Sequence, residues 1–434
     1  MSRYKILKEK IDSKKAKICI IGLGYVGLPL AVAFGEKGYF VYGFDTNLSR
    51  INKLKKGDKY IVDIESRKIL ELIKNDKFLP TADKKVLGDC DVAIICVPTP
   101  LRKVKIPDIS YVVKASKMIQ KYLENGQLIV LESTSFPTTT REVVLPILKK
   151  SGLREEEDFF LCFSPERVNP GDKNYPPTKI PKVVGGLSEK SAQLAESLYS
   201  TIMEKVFMVS TPEVAETSKL LENTFRLVNI ALVNEFAIVC NKLGISIWEV
   251  IEAAKTKPFG FMPFYPGPGS GGHCIPCDPL YLSWKAKKLG FKTKMIDLAS
   301  YINHFMPKYV IDRVEELLTK QGKSFKEANV LVLGVTYKKD VKDLRESPAL
   351  DIIEKLQKKT KKVDFYDPLI PYLEIAGIHL KGVPLFRESL EIYDCIIITT
   401  DHSNIDYDFL RKNAKFVFDT RNVYKQDFDN VKRI

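Results

Sequence analysis

Short apolar runs alternate with amphipathic stretches along the first half of the chain: Lys17–Ile21, Phe40–Phe44, 91–96, 127–131 and 159–163, each closed by glycine or polar residues. Runs of this length bounded by turn residues read as buried strands, and their alternation with helical patterns predicts a parallel sheet. The alternation returns near the C-terminus at 329–334, Lys362–Tyr366, 393–399 and 416–419. Between the two blocks the period lengthens. Thr211 stands as a helix N-cap, Pro212 falls in the first turn and Gly244 at the stop, which predicts one helix of roughly 48 Å. The expected fold is α/β, with two Rossmann-like doubly wound domains joined by a long central helix and a helical middle domain. The boundaries are a basic N-terminal extension over 1–16, a first sheet domain over 17–210, the helical region over 211–326 and a second sheet domain over 327–434.

Along the long helix, Glu216, Lys219, Asn223 and Arg226 recur at steps of three and four and share one face. The other faces carry Leu220, Leu221, Phe225, Val228 and Ala231. That pattern predicts a rod buried on most sides whose polar stripe lines a site. So much apolar surface needs cover from another domain or chain, and a homodimer around this helix is expected. Residues 1–16, with Ile6, Leu7 and Ile11 among lysines, read as an amphipathic helix on the surface.

Composition narrows the function without naming it. The 434 residues exceed what one core usually holds, and the net charge of +14 is spread along the chain instead of gathered in a block. A diffuse basic excess suits an anionic small ligand, and no nucleic-acid partner is expected. No apolar run reaches the roughly 18 residues of a membrane span, so no membrane partner is expected either. Eight cysteines without regular spacing and no signal peptide point to reduced thiols and a cytoplasmic protein.

The candidate chemistry begins after the first strand. Gly22, Gly24 and Gly27 have G-x-G-x-x-G spacing before a helix, and the second strand ends in Asp45. A carboxylate there takes the ribose hydroxyls of an adenosine and repels a 2′-phosphate, so NAD is expected in preference to NADP. Thr99, Thr134 and Glu166 follow later strands, at the sheet edge where open α/β folds bind ligands. The second block echoes the first, Tyr366-Asp367 matching Phe44-Asp45, but its turn reads Gly334-Val-Thr-Tyr-Lys338-Lys339-Asp340. It should hold phosphate through lysine, with a nucleotide other than NAD as ligand. Residues 265–279 read YPGPGSGGHCIPCDP, a glycine- and proline-rich loop taken as neither helix nor strand, with Cys274 as candidate nucleophile. A buried structural cysteine, or a pair or metal set with Cys277, His273 and Asp278, stands beside that reading.

Five blocks together, YVGLPLA after the first strand, SPERVNPG at Ser164, the helix from Glu216 to Asn223, GPGSGGHCIPCDP, and Lys338-Lys-Asp with Arg345-Glu-Ser, resemble the UDP-glucose/GDP-mannose dehydrogenase family over nearly the whole chain. The resemblance implies two successive NAD-dependent oxidations of a nucleotide sugar's primary alcohol, through a thiohemiacetal and a thioester on Cys274. Lys219 and Asn223 would steady the oxyanion, Asp278 and Glu166 would move protons, and Thr134 would help hold the water. It implies cofactor contacts at Tyr25, Val26, Arg50, Pro98, Thr99 and Thr134, and from Arg345 across the cleft. Substrate contacts are implied at Glu166, Arg167, Val168, Lys219, Asn223, Phe264, Tyr265, Gly267, Gly269, Gly271, Lys338 and Arg421, with no metal.

One departure concerns the sugar. Relatives acting on UDP-glucose commonly carry an arginine before the glycine-rich loop, where 255–264 has lysines and aromatic residues. The chain looks more like the branch acting on UDP-N-acetylhexosamines, with UDP-N-acetylglucosamine favoured and UDP-N-acetylmannosamine second. Phe259, Phe261, Phe264 and Tyr265 would wall the acetamido group. By resemblance the product would serve polysaccharide precursors. An epimerase of the short-chain kind needs a Tyr-x-x-x-Lys pair on a helix of the cofactor domain, and the pair Tyr4 to Lys8 lies upstream of it. An NAD-binding regulatory protein has no use for Cys274, Lys219 and Asn223 together.

Overall fold

The computed structural model describes the chain apart from residues 59–63, 103–105, 168–176, 273 and 376, so Val168 and His273 lie outside the described residues. It divides into two compact units, Met1–Glu222 with Leu280–Gly290, and Asn223–Pro279 with Phe291–Ile434.

The first unit is built on eight strands: β1 (Lys17–Ile21), β2 (Phe40–Phe44), β3 (Phe78–Thr81), β4 (Val92–Ile95), β5 (Leu128–Leu131), β6 (Phe160–Phe163), β7 (Lys182–Gly186) and β8 (Val206–Val209). Their order is β3-β2-β1-β4-β5-β6-β7-β8, and the first six form the strand order of a dinucleotide-binding sheet. All neighbours are parallel except β6 and β7. Alternate residues enter separate cores on the two faces, Ile18, Ile20, Val41 and Ile94 on one and Cys19, Ile21, Tyr42 and Ala93 on the other. Strands buried on both faces read as continuous apolar runs, which is why these were visible in the sequence.

β3, β7 and β8 were not visible. β3 is an edge strand containing Pro80, β8 is an edge with Phe207 and Met208 exposed, and β7 begins with a lysine and ends in two glycines. The N-terminal helix Arg3–Asp12 is no surface appendage, because Leu7 and Ile11 are buried in the first core. Tyr39 Oη donates to the Ile11 carbonyl at 2.9 Å, and Arg3 pairs with Asp158 at 2.6 Å.

The second unit holds a parallel sheet in the order β10-β9-β13-β14-β15 and a hairpin of β11 with β12. These are β9 (Asn329–Leu333), β10 (Lys362–Tyr366), β11 (Tyr372–Ile375), β12 (Ile378–Lys381), β13 (Cys395–Ile398), β14 (Val417–Asp419) and β15 (Val431–Arg433).

The long helix runs Pro212–Leu243, and its burial departs from the expectation in part: Leu220 and Ala231 are buried as expected, but the remaining pattern differs. Glu216, Lys219 and Asn223 are buried, whereas Leu221 is 66% and Phe225 47% exposed, as are Leu232, Phe236 and Val239 further along. Three of the four stripe residues face protein, Arg226 is exposed, and an apolar row faces out. By length and composition alone this helix could cross a membrane, but its buried amides are engaged with protein: Asn234 Nδ2 donates to Asn303 Oδ1 at 2.9 Å.

The cysteine segment also differs from the reading as pure loop. Residues Cys274–Lys288 form a helix with Cys274 as its first residue. Pro276 lies in the first turn, where a missing N–H costs nothing, which is how a proline-rich stretch starts a helix.

Candidate active site

In the first unit, β1 runs into a turn that only glycine permits. Gly22 has φ +97°, and a Cβ there would lie 2.7 Å from the Cys96 carbonyl oxygen. A Cβ on Gly27 would lie 2.0 Å from the Gly22 oxygen, so the helix Gly27–Glu36 starts hard against the strand end. Beside Gly24 nothing stands within 4 Å of the missing side chain, leaving the backbone open to a ligand. Asp45 is buried, and its carboxylate accepts from the Leu23 N–H at 3.0 Å and the Asn47 N–H at 2.8 Å while Arg50 lies at 3.3 Å. The acid therefore braces the turn as well as standing at the end of β2. Tyr25 and Pro98 are exposed, Val26 is partly buried, and Thr99 is buried with its carbonyl accepting from Tyr281 Oη. An open glycine, a helix N-terminus without a side-chain cap and an acid after β2 are what a dinucleotide needs, and these residues fit NAD.

At the ends of β5 and β6, Lys219 Nζ donates to Thr134 Oγ1 at 2.6 Å. Glu166 is partly buried, with Oε1 accepting from the Arg167 N–H at 2.7 Å and Oε2 lying 3.6 Å from Lys182 Nζ. Arg167 itself pairs with Glu222 at 2.7 Å. Glu216 does not line this region. It accepts from the N–H groups of Thr138 and Thr140 and from Thr140 Oγ1, and burial pushes its carboxyl up to about 7. Arg226 is exposed, so of the four stripe residues two have the surroundings expected of a site.

In the second unit, Asn223 Nδ2 donates to Asp278 Oδ2 at 2.7 Å. Asp278 is buried one helical turn after Cys274, which is exposed at the helix start, where the positive end of the peptide dipoles favours a thiolate. Cys277 is buried, and burial pushes its thiol up to about 12, which leaves Cys274 as the accessible thiol of the C-x-x-C.

The glycine-rich loop packs on the nucleotide-like half of this unit. A Cβ on Gly267 would lie 2.8 Å from Arg421 Nη1, and the Gly267 N–H donates to Asn234 Oδ1 at 3.0 Å. Gly269 lies against Asn303 and Pro348, Gly271 and Gly272 lie against Tyr337, and the Gly272 N–H donates to the Arg345 carbonyl at 3.0 Å. Arg421 Nε donates to the Thr399 carbonyl at 2.7 Å, and Arg345 pairs with Asp343 at 2.6 Å. Phe264 meets Phe225 edge-on at 5.7 Å, and Tyr265 stacks on Trp248. Phe259, 70% exposed, lies under Lys257, and Phe261 is exposed. Lys338 is partly buried in the turn after β9.

Two groups escaped the sequence reading. Lys182 and Glu132 form a buried ion pair at 3.0 Å; a lysine opening an apolar strand was the available signal, and that strand went unread. His402, buried, accepts at Nδ1 from the Asp340 N–H at 3.1 Å, with Nε2 3.1 Å from Asp367 Oδ2.

Residues 16–203, 213–304 and 331–426 match the NAD binding, central and UDP binding domains of the UDP-glucose/GDP-mannose dehydrogenase family. The chain belongs to that family. It is 40% identical over 408 residues to a UDP-N-acetyl-D-glucosamine 6-dehydrogenase of Pseudomonas aeruginosa, covering 93% of this chain and 95% of the relative. It is 36% identical to a UDP-N-acetyl-D-mannosamine dehydrogenase of Pyrococcus horikoshii, covering 94% and 96%. A solved structure of UDP-D-ManNAc dehydrogenase from Pyrococcus horikoshii superposes with a TM-score of 0.87 at 35% identity, covering 96% of this chain and 99% of that one. As a family member the chain is an NAD-dependent UDP-sugar dehydrogenase.

Proposed function

We propose that this dehydrogenase oxidises the 6-hydroxyl of a UDP-N-acetylhexosamine, UDP-N-acetylglucosamine first among them, to the uronate in two two-electron steps. NAD held at Gly22, Gly24, Gly27 and Asp45 would supply the hydride acceptor for each step. Cys274 thiolate adds to the aldehyde carbon to give a thiohemiacetal, whose oxidation leaves a thioester that water cleaves to carboxylate and thiol. Per sugar, one water is consumed, two NAD are reduced and three protons are released. The observation that carries the reading is the Asn223–Asp278 hydrogen bond with Cys274 exposed one turn before Asp278. It ties an oxyanion donor and a carboxylate to the helix that begins with the nucleophile.

Lys219, one turn before Asn223, donates to the developing oxyanion, and Glu166 takes the proton of the attacking water with Thr134 holding it. Lys338 and Arg421 hold the UDP moiety, Arg345 reaches the cofactor, and Phe264 with Tyr265 faces the acetamido group. The relative named for UDP-N-acetyl-D-glucosamine supports the first sugar. A UDP-N-acetyl-D-mannosamine relative at 36% identity supports the second reading. The exposed apolar row Leu221, Phe225, Leu232, Phe236 and Val239 supports a homodimer covering the long helix, and eight unbridged cysteines fit a cytoplasmic enzyme feeding polysaccharide synthesis.

The deciding experiment counts NADH formed per sugar consumed across UDP-glucose, UDP-N-acetylglucosamine, UDP-N-acetylmannosamine and GDP-mannose. Two per sugar are expected with a UDP-N-acetylhexosamine, and Cys274→Ala should fail to release uronate. No NADH with any of the four overturns the substrate assignment.

A further inference from the structure

Two buried charges of the first unit lie beside Glu166. Lys182, 4% exposed at the start of β7, has its Nζ 3.0 Å from Glu132 Oε2 and 3.6 Å from Glu166 Oε2. Tyr199 Oη donates to the other Glu132 oxygen, and the Lys182 ammonium lies 5.1 Å from the centre of the Tyr199 ring. One cation is thus shared by two carboxylates, one sealed in the core and one reaching toward the surface.

A lone buried ion is costly, and a lysine this deep is retained only where its charge is compensated. Glu132 alone would suffice for that. Glu166 gains from the arrangement: its Oε1 accepts from the Arg167 N–H and its Oε2 faces the ammonium, so both oxygens are oriented. The other polar groups around the cluster among the described residues are Tyr199, the thiols of Cys96 and Cys162, and Arg167, whose charge is taken up by Glu222. Burial raises the Cys96 and Cys162 thiols and Tyr199, which leaves them neutral. Burial likewise pushes the Glu132 carboxyl up, with the Lys182 ammonium opposing it, while Lys182 loses to burial less than it gains from the two carboxylates and stays a cation.

We propose that Lys182 is a positioning residue that keeps Glu166 ionised and aimed, with Glu132 as the competing anion that tempers how much of that charge Glu166 receives. The proposal rests on the reading of Glu166 as the base that activates water. Its consequence is a pair of opposite effects. Removing the ammonium makes Glu166 harder to ionise, and neutralising Glu132 makes it easier.

The test is the pH profile of kcat for uronate formation by the full enzyme. Lys182→Met should move the acidic limb upward by about one pH unit and lower turnover at its foot about tenfold, with Lys182→Arg restoring most of both. Glu132→Gln should move the same limb downward. A Lys182→Met enzyme that loses activity equally at every pH with the limb in place overturns the proposal, and so does a Glu132→Gln limb that stays or moves upward. If Lys182→Met does not fold, the direction of the Glu132→Gln shift decides alone. Glu166→Gln separates the two readings. A limb that survives Glu166→Gln refutes Glu166 as base, whereas a limb that vanishes there but ignores Lys182→Met and Glu132→Gln refutes only the role of Lys182.

Discussion

The two sheet-bearing halves begin with the same turn and then part. After β1, Gly22 at φ +97° donates its N–H to the Phe44 carbonyl at 2.8 Å; after β9, Gly334 at φ +82° donates to Tyr366 at 2.8 Å. The acid after the neighbouring strand braces each turn, Asp45 through the Leu23 N–H and Asp367 through those of Val335 at 2.7 Å and Thr336 at 3.2 Å. In the first half a helix begins five residues after the glycine, at Gly27; in the second it waits until Pro348. The intervening stretch carries Lys338 and is held by His402 and by Ser403, which donates to Asp340. A helix N-terminus pressed to the turn offers a diphosphate oriented N–H groups, whereas a long turn must supply cationic side chains. The comparison teaches that the turn geometry belongs to the fold and the means of binding an anion does not.

The largest test breaks one turn at a time. A Cβ on Gly27 would meet the Gly22 oxygen at 2.0 Å, and one on Gly334 the Thr400 oxygen at 2.3 Å at a positive φ. Neither backbone neighbour can yield without unmaking the strand end. Gly27→Ala should weaken NAD binding about 100-fold or more and leave UDP binding in place, and Gly334→Ala should do the reverse. Titration calorimetry with each ligand separately reads both. Loss of both ligands in either variant would mean that the halves do not bind independently.

Side chains come next in size. Lys338→Met should cost UDP about 10- to 100-fold in affinity and NAD nothing, the value of one charge-assisted contact to phosphate. Asp45→Ser should weaken NAD about tenfold and narrow its preference over NADP, since the carboxylate that repels a 2′-phosphate is gone. An unchanged cofactor preference would confine Asp45 to bracing the Leu23 and Asn47 N–H groups.

What the sequence made legible follows from burial. Strands covered on both faces announce themselves as apolar runs, and a glycine that no other residue can replace announces a turn; both were read correctly at β1, β2, β4 and Gly22. Edge strands did not, because Phe78–Thr81 carries a proline and Val206–Val209 leaves Phe207 in solvent. The long helix misled because composition tells how much apolar surface exists, not which side a neighbour covers. Glu216 illustrates the cost: it shares a face with Lys219, yet its carboxylate is used up by the backbone of 138–140. The Lys182–Glu132 pair joins residues fifty positions apart, and no local pattern carries that information.

The smallest effect distinguishes the second turn by its pH response. Burial pushes the Asp367 carboxyl up, but the His402 contact and the N–H groups of Val335 and Leu369 more than offset it, and the net shift is downward. A carboxyl whose folded pKa lies below its unfolded value stabilises fully above that unfolded value and loses the contribution as pH falls through the folded one. The wild-type second unit should therefore weaken on acidification below about pH 4. Asp367→Asn should be less stable at pH 7 by about 1–2 kcal/mol and lack that part of the acid dependence. The chain has two tryptophans, Trp248 in the second unit and Trp284 in the first, so in a Trp284→Phe background the urea transition of Trp248 fluorescence reports the second unit alone. Parallel acid limbs for the wild type and Asp367→Asn would show that the brace after β10 contributes nothing, and the likeness of the two turns would then stop at their glycines.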